Sequence, residues 1–124
     1  MLSNKKISAF VPTAKPEQAK KFYSDILGLT LVSEDDFALE FSANGAKLRV
    51  TVVRDFKPQS FTVVGWEVED IDSVIGLLDK NNVACEKYGF LKQDTSGIWT
   101  APNGTKVAWF KDPDGNLLSL SETL

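Results

Sequence analysis

With 124 residues, 43% hydrophobic and 25% charged, the chain is long enough for one domain (1–124) with its own hydrophobic core and needs no disulfide or metal staple. Its net charge of −3 argues against nucleic acid and anionic membrane as partners, and its single cysteine excludes an intrachain disulfide, which points to a reducing, cytoplasmic setting. It has no histidine, so a Ser-His-Asp triad, a Cys-His dyad and a His general base are excluded, while a carboxylate-only Mg²⁺ or Mn²⁺ site stays open.

Met1 to Lys6 lacks the apolar segment of a signal peptide, and no apolar run is long enough to cross a bilayer. Lys6–Val11 alternates as a strand, with Ile7, Ala9 and Val11 on one face, and Pro12 ends it. Lys15-Pro16-Glu17 opens a helix whose stripe is Ala19, Phe22, Tyr23, Ile26 and Leu27, with Gly28 as its stop. Leu29–Val32 and Phe37–Phe41 read as a hairpin across Glu34-Asp35-Asp36, a solvated turn or a cation-attracting rim. Asn44-Gly45 is a strong hairpin signal leading into a strand over Ala46–Val53. Residues 55–60 are polar, contain Pro58 and follow no pattern, as a linker does.

The order then repeats. Phe61–Val68 is a strand, and a helix runs from Asp70-Ile71-Asp72 through Leu78, with Asp70 or Asp72 as its N-cap. A short strand near Ala84–Glu86, another at Ile98–Ala101 and the turn Pro102-Asn103-Gly104 follow. Lys106–Phe110 and Leu117–Leu120 form the last hairpin, around Asp112-Pro113-Asp114-Gly115: Pro113 fixes φ at the second turn position and Gly115 can take the positive φ that closes it. Two β-α-β-β-β modules, about 5–54 and about 61–122, thus fill the chain, with Asn44-Gly45 and Asn103-Gly104 expected at matching places.

Phe22-Tyr23-Ser24-Asp25-Ile26-Leu27-Gly28-Leu29 in the first module and Asp112-Pro113-Asp114-Gly115-Asn116 in the second resemble the vicinal oxygen chelate superfamily, which includes glyoxalase I, extradiol dioxygenases, fosfomycin-resistance enzymes and bleomycin-resistance proteins. The resemblance implies an α+β fold: two βαβββ modules forming a curled mixed sheet around a central cleft, commonly completed by a homodimer. It also implies where metal-dependent members keep their ligands. Those positions fall on Ser8, near Arg49, near Val63 and on Ser119, none of them a good ligand, and Arg49 would repel a cation. The expectation is no metal and no cofactor, with glyoxalase-, dioxygenase- and fosfomycin-type chemistry lost.

Alternation then assigns Ile7, Ala9, Leu48, Val50, Val52, Val64, Trp66, Val68, Leu118 and Leu120 to the helix side, leaving a mixed face for the cleft. From that face come the candidate ligand-binding residues Phe10, Arg49, Val63, Glu67, Trp99, Trp109 and Ser119. Trp99 suits either a pocket or packing. Of the neighbours Trp109 and Phe110 one must face the core and the other the cleft; alternation does not carry across the loop to say which, and Trp109 is taken as the cleft candidate. Arg49 must pair with a carboxylate, either Glu40 or Glu67 within the protein or that of a ligand. Cys85 reads as a small buried hydrophobe, although Lys87 is placed to lower its pKa. The resulting expectation is a metal-independent protein that binds a small, partly aromatic or cationic molecule, an antibiotic for instance. The alternatives are a metal-free lyase or isomerase working through Arg49 and a carboxylate, and an accessory module that binds another protein.

Overall fold

Each half of the chain runs strand, helix and three more strands, and in each the first strand lies parallel to the last. The computed structural model describes residues 1–123 and divides between Pro58 and Gln59, inside the polar 55–60 stretch. The first unit contains β1 (Ser8–Thr13), α1 (Pro16–Lys21), β2 (Thr30–Glu34), β3 (Ala38–Ala43) and β4 (Ala46–Val52). The second contains β5 (Thr62–Glu67), α2 (Ile71–Lys80), β6 (Trp99–Thr100), β7 (Lys106–Lys111) and β8 (Leu117–Glu122). Their mixed, four-stranded sheets have the orders β1-β4-β3-β2 and β5-β8-β7-β6.

These orders correct one expectation. β3 and β4 correspond to β7 and β8, so Asn44-Gly45 matches the Asp112–Asn116 turn, and Asn103-Gly104 matches Glu34–Asp36. Both Asn44 (φ 49°) and Gly45 (φ 82°) take the left-handed conformation that a two-residue hairpin turn demands.

Pro12 does not end β1, which continues to Thr13. The strand lies at one edge of its sheet, where a residue without an N–H costs no ladder bond. Ile7, assigned to the helix side, precedes the strand and is 85% exposed. The register otherwise follows the alternation: Val11, Leu48, Val50, Leu39 and Phe41 are buried on one face, against which α1 lies. The helix after Lys21 widens into a π-helical turn, Phe22–Ile26, with Leu27 N–H donating to the Phe22 carbonyl at 2.9 Å. Successive residues turn through a smaller angle there, so both Phe22 and Tyr23 reach the core. Their rings meet edge to face at 5.2 Å, and Tyr23 lies 5.8 Å from Phe41.

In the second unit Leu118, Leu120, Ala108 and Phe110 are buried on one face, with Trp66 stacked 6.5 Å from Phe110. Helix α2 lies against β8 and begins with Asp70, which accepts from Ser73 N–H at 3.2 Å and from the Ser73 hydroxyl at 2.8 Å. Glu122 of β8 takes the N–H of Ile71, a second of the helix's open amides, at 3.2 Å.

The Ser73 hydroxyl, and then its amide, hold the Asp70 carboxyl below the usual carboxylate range. A lowered folded pKa means that the stabilisation is complete above the unfolded value of about 3.9 and is lost as the pH falls through the folded pKa. The melting-temperature gap between the wild type and Asp70→Ala should therefore shrink between about pH 6 and about pH 2. A gap independent of pH would show that the cap owes nothing to the charge.

No strand forms at Ala84–Glu86. Glu86 N–H donates to the Trp109 carbonyl of β7 at 2.7 Å, but its own carbonyl accepts from the side chain of Gln93, so no ladder is propagated.

Candidate functional site

Two rows of side chains cross the sheet of the second unit on the face opposite Phe110. Trp109 of β7 is in register with Ser119 of β8 and Gly65 of β5. In the other row Trp99 of β6 aligns with Val107, Ser121 and Glu67. A methyl group at Gly65 would overlap the Ser119 hydroxyl and sit 3.2 Å from the Ser119 carbonyl oxygen, so any larger residue would have to turn that hydroxyl aside and ease the strands apart slightly. Beside Trp109 the sheet is therefore a low floor of glycine and serine.

Aromatic rings rise along one side of that floor. Trp99 and Trp109 lie 6.3 Å apart at 33°, and Tyr88 stands edge-on to Trp109 at 5.7 Å and 81°. Phe90, 82% exposed, extends the series at 5.5 Å from Tyr88. Burial, and then Glu86, push the Tyr88 phenol upward from its ordinary value. At the Trp99 end a cavity of about 330 Å³ is lined by Lys92, Gln93, Asp94, Ile98, Trp99 and Thr100.

The loop that carries Tyr88 and Phe90 is built by side chains. Lys111 reaches Glu86 at 3.4 Å, Lys87 donates to the Thr95 carbonyl at 2.9 Å, and Asp94 accepts the amides of Ser96 and Ile98, both at 2.9 Å. Gly97 takes φ +97°, and a Cβ there would sit 2.9 Å from Cβ of Cys85. Cys85 is half-buried among these residues, and a separate groove of about 390 Å³ lies against it, between Asp72, Ile75 and Asp79 of α2 and Val83 and Ser96. Burial pushes the thiol up, helped by Glu86, Asp94 and Asp79, and the opposing effect of Lys87 ranks last. The lowering expected from Lys87 is outweighed.

Among the predicted site residues the structure brings Trp99, Trp109, Ser119 and Glu67 to one face of the second unit, where Glu67 is exposed. Val63 falls in a bulge of β5 between Thr62 and Val64, and so has no partner in register on β8. Phe10 and Arg49 belong to the first unit, where they are neighbours in register across β1 and β4. Phe10 is 61% exposed. Arg49 Nη1 lies 3.4 Å from Glu40 Oε1, and Lys47 Nζ lies 3.7 Å from the same oxygen, so the strand-bridging pair is formed. Tyr88, Phe90 and Gln93 were not anticipated: they sit in a stretch with neither helical nor strand period. The spacing Tyr88-Gly89-Phe90 was the one available signal.

The residues onto which the resemblance carries the metal ligands, Ser8, Arg49, Val63 and Ser119, do not fit a divalent cation. Ser8 is exposed and in register with Lys47, Arg49 is a guanidinium engaged with Glu40, Val63 offers an alkyl group, and Ser119 offers a hydroxyl crowded against Gly65. Among the described residues no group of three or more His, Cys, Asp or Glu is placed to hold an ion.

The architecture is that of paired βαβββ modules, and the chain belongs to the Glyoxalase/Bleomycin resistance protein/Dioxygenase superfamily, whose model matches residues 7–120. Uncharacterized protein YaeR of Escherichia coli K12 is 30% identical over 119 residues, covering 84% of each chain. A superfamily member from Sphaerobacter thermophilus has the same fold with a TM-score of 0.77 at 22% identity, covering 98% of this chain and 99% of its own. The bleomycin resistance determinant encoded on the transposon Tn5 superposes with a TM-score of 0.76 at 16% identity, covering 97% and 98%.

Proposed function

We propose that this protein binds a small, partly aromatic or cationic molecule on the aromatic face of its second unit, without a metal and without making or breaking a bond. The observation that carries the reading is the floor of Gly65 and Ser119 beside the Trp99–Trp109–Tyr88 rings. A planar ligand laid there stacks on tryptophan, an interaction worth about 1 kcal/mol per ring pair beyond burial. An exposed carboxylate at Glu67 and a net charge of −3 favour a cation. Antibiotic sequestration is the natural setting, given the fold shared with the Tn5 determinant. A cytoplasmic homodimer is the form we propose for it. The lyase or isomerase reading has less support, because Glu40, the carboxylate nearest Arg49, is already shared by two cations.

Tryptophan fluorescence tests the proposal directly. Titration with a bleomycin-type glycopeptide and with N-methylacridinium, a planar aromatic cation, should give saturable quenching that EDTA leaves unchanged. Quenching that appears only with Ni²⁺, Zn²⁺ or Mn²⁺ present would defeat the metal-independent reading.

A further inference from the structure

Strand β6 has two residues where its counterpart β2 has five, so the loop before it has almost no ladder to hold it. Gln93 takes that part. Its Oε1 accepts the N–H of Tyr88 at 2.7 Å, while its Nε2 donates to the carbonyls of Glu86 at 3.0 Å and Gly97 at 2.7 Å. Its backbone forms an antiparallel bridge with Trp99. One residue therefore fixes the main chain beneath Tyr88 and pairs with the main chain of Trp99, and these are the two rings that flank Trp109.

We infer that Gln93 is the positioning residue of this face, setting Tyr88 and Trp99 about Trp109 and so deciding which ring systems the face accepts. The inference rests on the aromatic face being the ligand face. Its chemistry follows from the donor and acceptor count. Alanine loses all three bonds, and asparagine is one methylene too short to span from Tyr88 to Gly97. Glutamate keeps the acceptor for Tyr88 but turns a second oxygen toward two carbonyls, which demand donors. A protonated glutamate regains one donor.

The test uses Gln93→Ala and Gln93→Glu in the full chain, with near-UV circular dichroism and two probes, three-ring N-methylacridinium and one-ring N-methylpyridinium. Gln93→Ala should alter the aromatic spectrum and weaken the three-ring probe about tenfold while the one-ring probe changes little. Gln93→Glu should behave like Gln93→Ala at about pH 7 and recover toward wild type at about pH 4, as its carboxyl protonates beside the two carbonyls. The surrounding charges are Glu86 with Lys111, Lys87 on Thr95, Lys92 and the capping Asp94. The wild type carries the same charges and serves as the control at each pH. The recovery separates positioning from a general loss of folding, which acid would worsen. An unchanged Gln93→Ala spectrum overturns the inference, as does a changed spectrum with an unchanged ratio of probe affinities. If the wild type binds neither probe, the functional reading fails. The hold of Gln93 on the rings is then decided by the Gln93→Ala and Gln93→Glu spectra alone, in the same sense.

Discussion

Asp112→Ala should lower the melting temperature by roughly 15 °C, one of the two largest effects expected from a single substitution in this chain. Asp112 and Asn116 are 6% and 2% exposed at the base of the β7–β8 hairpin. Asp112 Oδ1 accepts the amides of Asp114 and Asn116, and Oδ2 accepts from Asn116 Nδ2, all at 2.9 Å. The Asp112 N–H returns to the Asn116 carbonyl at 3.1 Å, and Gly115 N–H closes the turn on the Asp112 carbonyl at 3.0 Å. Alanine would strip the acceptor from two buried donors of Asn116, a loss of about 4 kcal/mol when each costs about 2. For a domain of this size that is roughly 4 °C per kcal/mol. The reversed pair, Asp112→Asn with Asn116→Asp, keeps an acceptor for both amides and a donor facing a carboxylate. It should recover at least half of the loss in thermal melts. A reversed pair no better than Asp112→Ala would mean that the turn depends on the position of the charge and not on the bonds.

Phe110→Ala and Trp109→Ala should separate stability from binding between adjacent residues. Phe110 is 1% exposed and stacks on Trp66, and truncating such a ring costs about 3–5 kcal/mol in transfer and cavity energy. Trp109, on the other face, packs on Trp99 and Tyr88 at the surface. Its loss should cost far less in urea melts yet remove the saturable quenching by N-methylacridinium followed through the remaining tryptophans. Trp109→Ala with wild-type affinity would place the ligand elsewhere. Unimpaired stability in Phe110→Ala would mean that the core of this unit lies away from the β7–β8 face.

Both residues show what the sequence conveyed and where it fell silent. Alternation in β7 required Phe110 and Trp109 to face opposite sides, but it is the β7–β8 register, with Phe110 opposite the buried Leu118, that decides which of them is in the core. Alternation placed Leu48, Val50, Leu118 and Leu120. Local chemistry also sufficed for the turns, since Asn44-Gly45 and Asp112–Gly115 carry their conformations in single residues. It failed where order comes from one side chain bonding the main chain of its own loop, which leaves no period to read. Nothing in the pattern of residues 83–97 shows that Gln93 binds Glu86, Tyr88 and Gly97, so the loop read as a strand and a gap, and Tyr88 and Phe90 went unnoticed. Charge left Glu40, Glu67 or a ligand's carboxylate as the partner of Arg49, and the β3–β4 register sets Glu40 beside it. The π-helical turn leaves no trace in a periodicity it barely perturbs.

The strand orders carry a consequence for how the protein is made. In each unit the first strand pairs with the last, Ser8–Thr13 with the segment from Lys47 and Thr62–Glu67 with that from Leu117. β4 and β8 are interior strands, bonded on both edges. A nascent chain can form its helices and the β2–β3 and β6–β7 pairs early, but neither sheet closes until its final strand has cleared the ribosome. Such distant pairing pays its loop-closure entropy before any reward arrives, which makes it slow. The first sheet waits for β4, which bonds both β1 and β3. The second waits for β8, which bonds both β5 and β7 and brings Leu118 opposite Phe110.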